Sequence, residues 1–231
     1  MHKNNDFLEN KNAIDRIEWA KNTYNDSIFM STSFGIQSAI LLHLVTNKIP
    51  NIPIIFIDTG YLFKETYQFA DLLIQRLNLN IKIYKPLLSS SNQESRFGKL
   101  WEQGVEGLDQ YNKINKIEPM QRAIKEMKKK CWIAGLRREQ SESRKFRPVI
   151  ENQNDITKIY PIIDWEEKNV NEYLLQNNLP HHPLKNKGYV SVGDWHSSSP
   201  LKSNMSAEDT RFNGMKRECG LHLDFDQGGG I

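Results

Sequence analysis

The sequence predicts an α/β fold in which a parallel sheet is covered by helices. Three observations carry this expectation. Short apolar runs of strand length, Ser27 to Ser31, Pro53 to Ile57 and Ile81 to Tyr84, alternate with longer segments of helical character. The strand-like runs end in polar turn residues, as at Asp58-Thr59-Gly60. The resulting order of strand, helix, strand, helix, strand is that of a parallel sheet with right-handed crossovers.

Taken in order, residues from about Phe7 to Tyr24 read as a helix, with Leu8, Ile14, Ile17 and Ala20 on an irregular apolar face. Ser27 to Ser31 is a short buried strand, Ser31 to Gly35 a turn, and Ile36 to Asn47 a helix apolar nearly all round. Pro53 to Ile57 is a second strand. A helix follows with Phe63, Tyr67, Ala70, Ile74 and Leu77 on one face, then the strand at Ile81 to Tyr84. The middle of the chain reads as helical, with Pro119 at a helix start and Lys128-Lys129-Lys130 at a helix end, where cations complement the macrodipole. Cys131 to Leu136 and Ile159 to Ile163 supply further strands, and Glu166 to Asn177 a helix closed by Pro180. From about residue 180 to 231 the pattern becomes irregular, and such a long aperiodic segment is either functional or disordered. Gly228-Gly229-Gly230 reads as frayed tail.

At 231 residues, 38% hydrophobic and 26% charged, the chain is long enough for one sizeable core, and a single domain spanning 1–231 is expected. No apolar stretch approaches a membrane span, and the start, Met1-His2-Lys3-Asn4-Asn5, lacks the apolar core of a signal peptide. A cytoplasmic location is expected. Two cysteines in different settings suggest no disulfide framework. The net charge of +3 is too small to argue for nucleic acid. The more telling basic group is Arg137-Arg138 with Arg144, Lys145 and Arg147, because it leaves a strand.

Ligands of parallel sheets bind beyond the carboxyl ends of the strands, which makes the loops Ser31 to Gln37 and Asp58 to Tyr61 candidates by position. In Ser31-Thr32-Ser33-Phe34-Gly35-Ile36-Gln37-Ser38, small hydroxyl residues and Gly35 lie where free amides and a helix dipole favour an anion. Ser33 could instead cap the helix. Neither Gly-Lys-Ser/Thr nor Gly-x-Gly-x-x-Gly is present, which disfavours P-loop NTPases and dinucleotide dehydrogenases. Asp58 would accept hydrogen bonds from a nucleotide or from nearby turn amides. His43 reads as a satisfied core histidine, and Trp165 and Trp195 as packing or pocket aromatics. A metal at His181-His182 fails for lack of further ligands, and no metal site is expected. Cys219 stands in Lys216-Arg217-Glu218-Cys219-Gly220-Leu221-His222, and neighbouring cations favour its thiolate. Cys131, in an apolar run, reads as a small packed hydrophobe.

The loop from Ser31 to Leu44 resembles the modified phosphate loop of the adenine-nucleotide alpha-hydrolase (ATP pyrophosphatase-like) group. Phe34-Gly35 and Gln37-Ser38-Ala39 resemble its sulfonucleotide reductases more than its pyrophosphatases. The likeness continues through Phe56-Ile57-Asp58-Thr59-Gly60-Tyr61, Leu100-Trp101-Glu102-Gln103-Gly104, Gly135-Leu136-Arg137-Arg138-Glu139-Gln140-Ser141, Pro161-Ile162-Ile163-Asp164-Trp165, Gly188-Tyr189, Gly193-Asp194 and the Cys219 tail. Taken together these resemble the thioredoxin-dependent phosphoadenosine phosphosulfate (PAPS) reductases.

The resemblance implies a Rossmann-like parallel sheet with a flexible, catalytic C-terminal segment. It implies reduction of PAPS to sulfite and adenosine 3′,5′-bisphosphate through an S-sulfocysteine, in assimilatory sulfate reduction and cysteine biosynthesis. Cys219 matches the nucleophile. Ser31, Ser33, Phe34, Gly35, Gln37, Ser38, Asp58, Thr59, Gly60, Arg137, Arg138, Gln140, Arg144, Lys216 and Arg217 match substrate-binding positions. His222 either aids the leaving oxygen or stands in solvent. Thioredoxin or glutaredoxin is the implied dithiol partner and a homodimer the implied assembly. Relatives with an iron-sulfur cluster carry paired cysteines and a Cys-x-x-Cys that this chain lacks. A four-iron cluster needs four thiolates, and two cysteines cannot supply them. The alternatives are adenylyl-sulfate reduction and an ATP pyrophosphatase-type nucleotidyl transfer.

Overall fold

The computed structural model describes residues 2–153 and 155–214. Two helices, α1 (His2–Glu9) and α2 (Ala13–Tyr24), replace the one expected over Phe7 to Tyr24. The break has a local cause. The Asn12 side chain accepts from the Asp15 amide at 2.9 Å and caps α2. The freed carbonyl of Leu8 then accepts from Nε of the fully buried Arg16, whose guanidinium also grips Asp164 at 2.6 Å.

The strands are β1 (Ile28–Thr32), β2 (Pro53–Ile57), β3 (Asn80–Tyr84), β4 (Cys131–Ile133), β5 (Ile150–Gln153) and β6 (Ile156–Ile159). They form one sheet in the order β3-β2-β1-β4-β6-β5. Every pairing is parallel except β5 with β6, an antiparallel hairpin that places Ile150 opposite Ile159. The strand expected over Ile159 to Ile163 therefore lies earlier. After Ile159 the chain turns, the Ile163 amide donates to the Tyr160 carbonyl, and the Ile163 carbonyl accepts from the Arg138 amide. The strand expected to reach Leu136 ends at Ile133, where β4 leaves its neighbours.

Helix α3 (Ser38–Lys48) buries Ala39, Ile40, Leu41, Leu42, Leu44 and Val45, since it lies between the sheet and other helices. Helix α4 (Lys64–Leu77) buries Thr66, Phe69, Ala70 and Leu73. A short helix, α5 (Ser90–Phe97), precedes a long one. In that long helix α6 (Gly104–Asn112) runs through a π segment, Lys113–Ile117, into α7 (Glu118–Met127) without interruption. Pro119 thus stands inside a helix rather than at its start. A proline there clashes with the preceding turn and donates no hydrogen bond, and the widened π turn accommodates it. Helix α8 (Glu167–Gln176) packs on α3.

From Leu179 to Gly214 the chain has only short 3₁₀ turns and two isolated bridges, Leu62 with Asp194 and Ser198 with Arg211. It is irregular, as expected, yet packed: His182, Leu184, Val192, Asp194, Ser197 and Thr210 are all buried. Lys216, Arg217, Cys219, His222 and the glycine run lie outside the described residues. Among the described residues no helix is long and apolar enough to cross a membrane.

Candidate active site

From β1 the chain winds outward through β2 to β3, then returns to the other flank of β1 as β4. The carboxyl ends of β1 and β4 consequently flank a topological switch point, where connections diverge and leave a crevice. Two loops face each other there, Ser33 to Gln37 after β1 and Ala134 to Arg138 after β4.

The first loop turns at Phe34, whose φ of 48° is left-handed. Its ring is fully buried against Phe56, with centroids 4.9 Å apart, so Phe34 anchors the loop and only its backbone can face a ligand. The Phe34 amide donates to Thr32 Oγ1 at 3.1 Å. Ser31 Oγ accepts from Trp132 Nε1 at 2.8 Å, and Ser38 Oγ donates to the Gly35 carbonyl at 2.9 Å. Ser33 is exposed and makes no cap; α3 begins without a side-chain cap, and its Ser38 and Ile40 amides donate instead to the Gly35 and Gln37 carbonyls at 3.1 and 3.3 Å. A Cβ on Gly35 would lie 3.3 Å from Ser33 Oγ and 3.6 Å from the Val192 carbonyl, a close approach that favours glycine.

Arg137 ties the two loops together. Its buried guanidinium donates to Gln37 Oε1 at 2.6 Å, to Glu139 at 2.8 Å, to Glu167 at 3.2 Å and to the Trp165 carbonyl at 2.9 Å. Gln37 Nε2 donates to the same Glu167 oxygen at 2.7 Å. Arg138 points elsewhere, donating to the Arg147 carbonyl and pairing with Glu9 of α1. Gln140 Oε1 accepts from the Arg137 amide at 3.2 Å and from Arg144 at 2.6 Å, which makes it a holder of the arginine loop.

Beyond β2, Asp58 Oδ1 accepts from the Gly60 amide at 3.0 Å and from Tyr67 at 2.6 Å, and Lys85 lies 3.3 Å from Oδ2. The turn reading of Asp58 is thus realised. Gly60 has a φ of 76°, and a Cβ there would stand 2.6 Å from Ser90 Oγ. Thr59 Oγ1 accepts from the Tyr61 amide and donates to Asp194 Oδ1 at 2.5 Å. Asp194 is paired with Lys116 at 2.7 Å, both buried. Burial raises the Asp194 pKa, but the Lys116 ammonium and the hydrogen bonds outweigh it and hold the carboxyl down at about 2. His196 stacks on Trp101 at 4.1 Å, and burial lowers its pKa to about 4.

Sequence reasoning missed Lys116 and Glu167, and it named Asp194 only within a motif. A lysine in a polar helical stretch carries no mark of burial. His43 meets the Tyr173 hydroxyl at 2.8 Å, and His182 is buried against Thr66 and the Leu184 amide, so neither awaits a metal. Among the described residues no cluster of three His, Cys, Asp or Glu could hold a metal ion. A cavity of about 460 Å³, lined by His43, Arg76, Asn78 and Asn177, lies at the opposite end of the sheet, where α3, α4 and α8 finish.

A mostly parallel sheet with a glycine-containing loop at its switch point is the architecture of α/β proteins of the ATP pyrophosphatase-like fold. A crystal structure of Candida glabrata FMN adenylyltransferase shares that fold at a TM-score of 0.60 and 17% identity, over 84% of this chain and 67% of that one. Residues 27–200 match the phosphoadenosine phosphosulfate reductase domain, and the chain belongs to that family. A phosphoadenosine 5′-phosphosulfate reductase of Proteus mirabilis is 53% identical over 94% of this chain and 90% of its own length. Its counterpart from Vibrio parahaemolyticus is 54% identical over 94% and 84%. The crystal structure of a PAPS reductase from Candida auris, a phosphate complex, superposes with a TM-score of 0.74 at 31% identity, covering 84% of this chain and 94% of that one.

Proposed function

We propose that this protein reduces PAPS to sulfite and adenosine 3′,5′-bisphosphate, with Cys219 as nucleophile. The observation that carries the choice of thiol is the state of the other cysteine. Cys131 lies in β4 with 0% exposure, and burial pushes its thiol pKa well above the ordinary range, so it remains an inert thiol. Cys219, set beside Lys216, Arg217 and His222, is the chain's second and last cysteine.

In the first step the Cys219 thiolate attacks the sulfate sulfur. An S–S bond forms, the S–O bond to the phosphate breaks, and its electron pair leaves on the phosphate oxygen of adenosine 3′,5′-bisphosphate. In the second, a thiolate of reduced thioredoxin or glutaredoxin attacks Cys219 Sγ and sulfite departs. The partner's other thiol then resolves the mixed disulfide, so the two electrons come from the dithiol. Ser33, the Phe34 and Gly35 backbone, Gln37, Ser38, Thr59 and Gly60 would cradle the nucleotide. Arg137, Arg144, Lys216 and Arg217 would offset its charge. With two cysteines in the chain, the reaction proceeds without an iron-sulfur cluster. We place the enzyme in the cytoplasm as a homodimer.

Intact-protein mass after mixing with PAPS in the absence of reductant tests this reading. One added sulfo group is expected on wild type and on Cys131→Ser, and none on Cys219→Ser, which should still bind nucleotide. The reverse pattern would move the nucleophile to Cys131. Magnesium-dependent release of pyrophosphate from ATP would instead favour nucleotidyl transfer.

A further inference from the structure

We infer that Lys116 and Asp194 are positioning residues that join the nucleotide loop after β2 to the segment leading into the Cys219 tail. This rests on the reading of Cys219 given above. Three distant pieces of chain meet at the pair. Lys116 comes from the π segment, Asp194 from the irregular segment after α8, and Thr59 from the loop after β2. The Leu62–Asp194 bridge and the Trp195 amide, which donates to the Tyr61 carbonyl at 2.9 Å, fasten the same two pieces side by side.

The surroundings are buried and rich in aromatic rings. Lys116 Nζ lies 5.4 Å from the Tyr111 ring centre and 5.1 Å from that of Phe212, both buried aromatics. A buried ion pair in such a place adds little net stability over an apolar pair, because desolvation offsets the attraction. What it does supply is register. The Thr59 hydroxyl gives its one proton to Asp194 while its oxygen accepts from the Tyr61 amide, which ties the Thr59-Gly60-Tyr61 backbone to the 194–198 segment. The π turn is the other half of the device, since it sits where Lys116 leaves the long helix toward Asp194, and such turns recur at functional sites. The pair therefore holds the 194–198 segment, from which the chain runs on toward Cys219, in fixed register with the loop after β2.

Asp194→Asn keeps the size of the side chain and removes its charge. In single-turnover mixing with PAPS the rate of sulfo-enzyme formation should fall about 100-fold, the scale of a 1 Å misplacement. The Kd for adenosine 3′,5′-bisphosphate should change less than about threefold, under ~0.7 kcal/mol. Amide exchange at Leu62, Trp195 and Ser197 should accelerate together. Because one charge left alone can unfold the protein, Lys116→Met with Asp194→Leu is the companion variant. An apolar replacement of both partners preserves the fold and should show the same loss of rate. A double variant with wild-type rate, or equal losses in rate and nucleotide affinity, would overturn the inference. Unlinked exchange in the two segments would do so as well. Wild-type protein that binds nucleotide without gaining a sulfo group would sink the Cys219 reading instead, and the exchange measurement would still decide the brace.

Discussion

Arg137 and Arg138 are neighbours in sequence and opposites in environment. Arg137 has extended backbone, with φ −129° and ψ 142°, and consecutive side chains in extended chain point to opposite sides. One arginine therefore reaches the crevice between the β1 and β4 loops, and the other turns back to Glu9 and the Arg147 carbonyl. The sequence presented them as two equal cations, because a basic run reveals number and not direction. Glu167, which decides how Arg137 is held, lies far away in the chain and carries no local signal. Arg137→Ala should weaken binding of adenosine 3′,5′-bisphosphate by about 1.5–3 kcal/mol, the worth of hydrogen bonds to charged groups. Arg138→Ala should cost less than about 1 kcal/mol in binding, its ion pair being partly exposed. Titration calorimetry on both variants, with circular dichroism as the control for folding, separates the two. Equal losses would mean that Arg138 swings into the site when ligand arrives.

At the scale of elements, legibility followed burial. The strand expected at Pro53 to Ile57 has those same bounds, since a central parallel strand buried on both faces reads as a continuous apolar run. Strand β5, Ile-Glu-Asn-Gln, went unread because its residues are mostly polar and it lies at the sheet edge, paired on one side only. The long helix was misjudged for a different reason. Pro119 reads as a start signal, and only the π turn ahead of it lets the helix run through. Where that helix begins, Gly107 is another position dictated by contact: a Cβ there would lie 2.3 Å from the Leu100 carbonyl oxygen. Backbone cannot yield as a side-chain tip can, so Gly107→Ala should destabilise the protein by about 1–3 kcal/mol despite alanine's better helix propensity. Urea unfolding measures this directly. A neutral or stabilising result would show that the Leu100–Glu102 turn yields freely.

Across the whole molecule, several ionisable groups are held inside, and their protonation links stability to pH. His182 is fully buried, its Nδ1 accepting from the Leu184 amide at 3.1 Å while Nε2 meets Thr66 Oγ1 at 3.2 Å, an arrangement that requires the neutral ring. Burial lowers its pKa from 6.5 to about 4, with nearby Glu65 opposing, and His196 is lowered likewise by burial. Below pH 6.5 the unfolded chain takes up protons that the folded chain refuses. Stability from these histidines is therefore complete above pH 6.5 and is lost as pH falls toward 4. Asp194 acts in the same direction but lower down: its contribution is complete above 3.8 and disappears as pH falls toward 2. Acid unfolding should thus begin with the histidines, before the Lys116–Asp194 pair is titrated. The urea midpoint at pH 5 should lie below that at pH 7. His182→Gln, which keeps a donor and an acceptor but cannot titrate, should flatten the dependence by up to about 1.4 kcal/mol per pH unit, the slope due to one proton. A variant with the wild-type slope between pH 7 and 5 would mean that His182 takes up its proton without disturbing the fold, and the acid sensitivity would then belong to the other histidines that burial lowers, His196, His43 and His181.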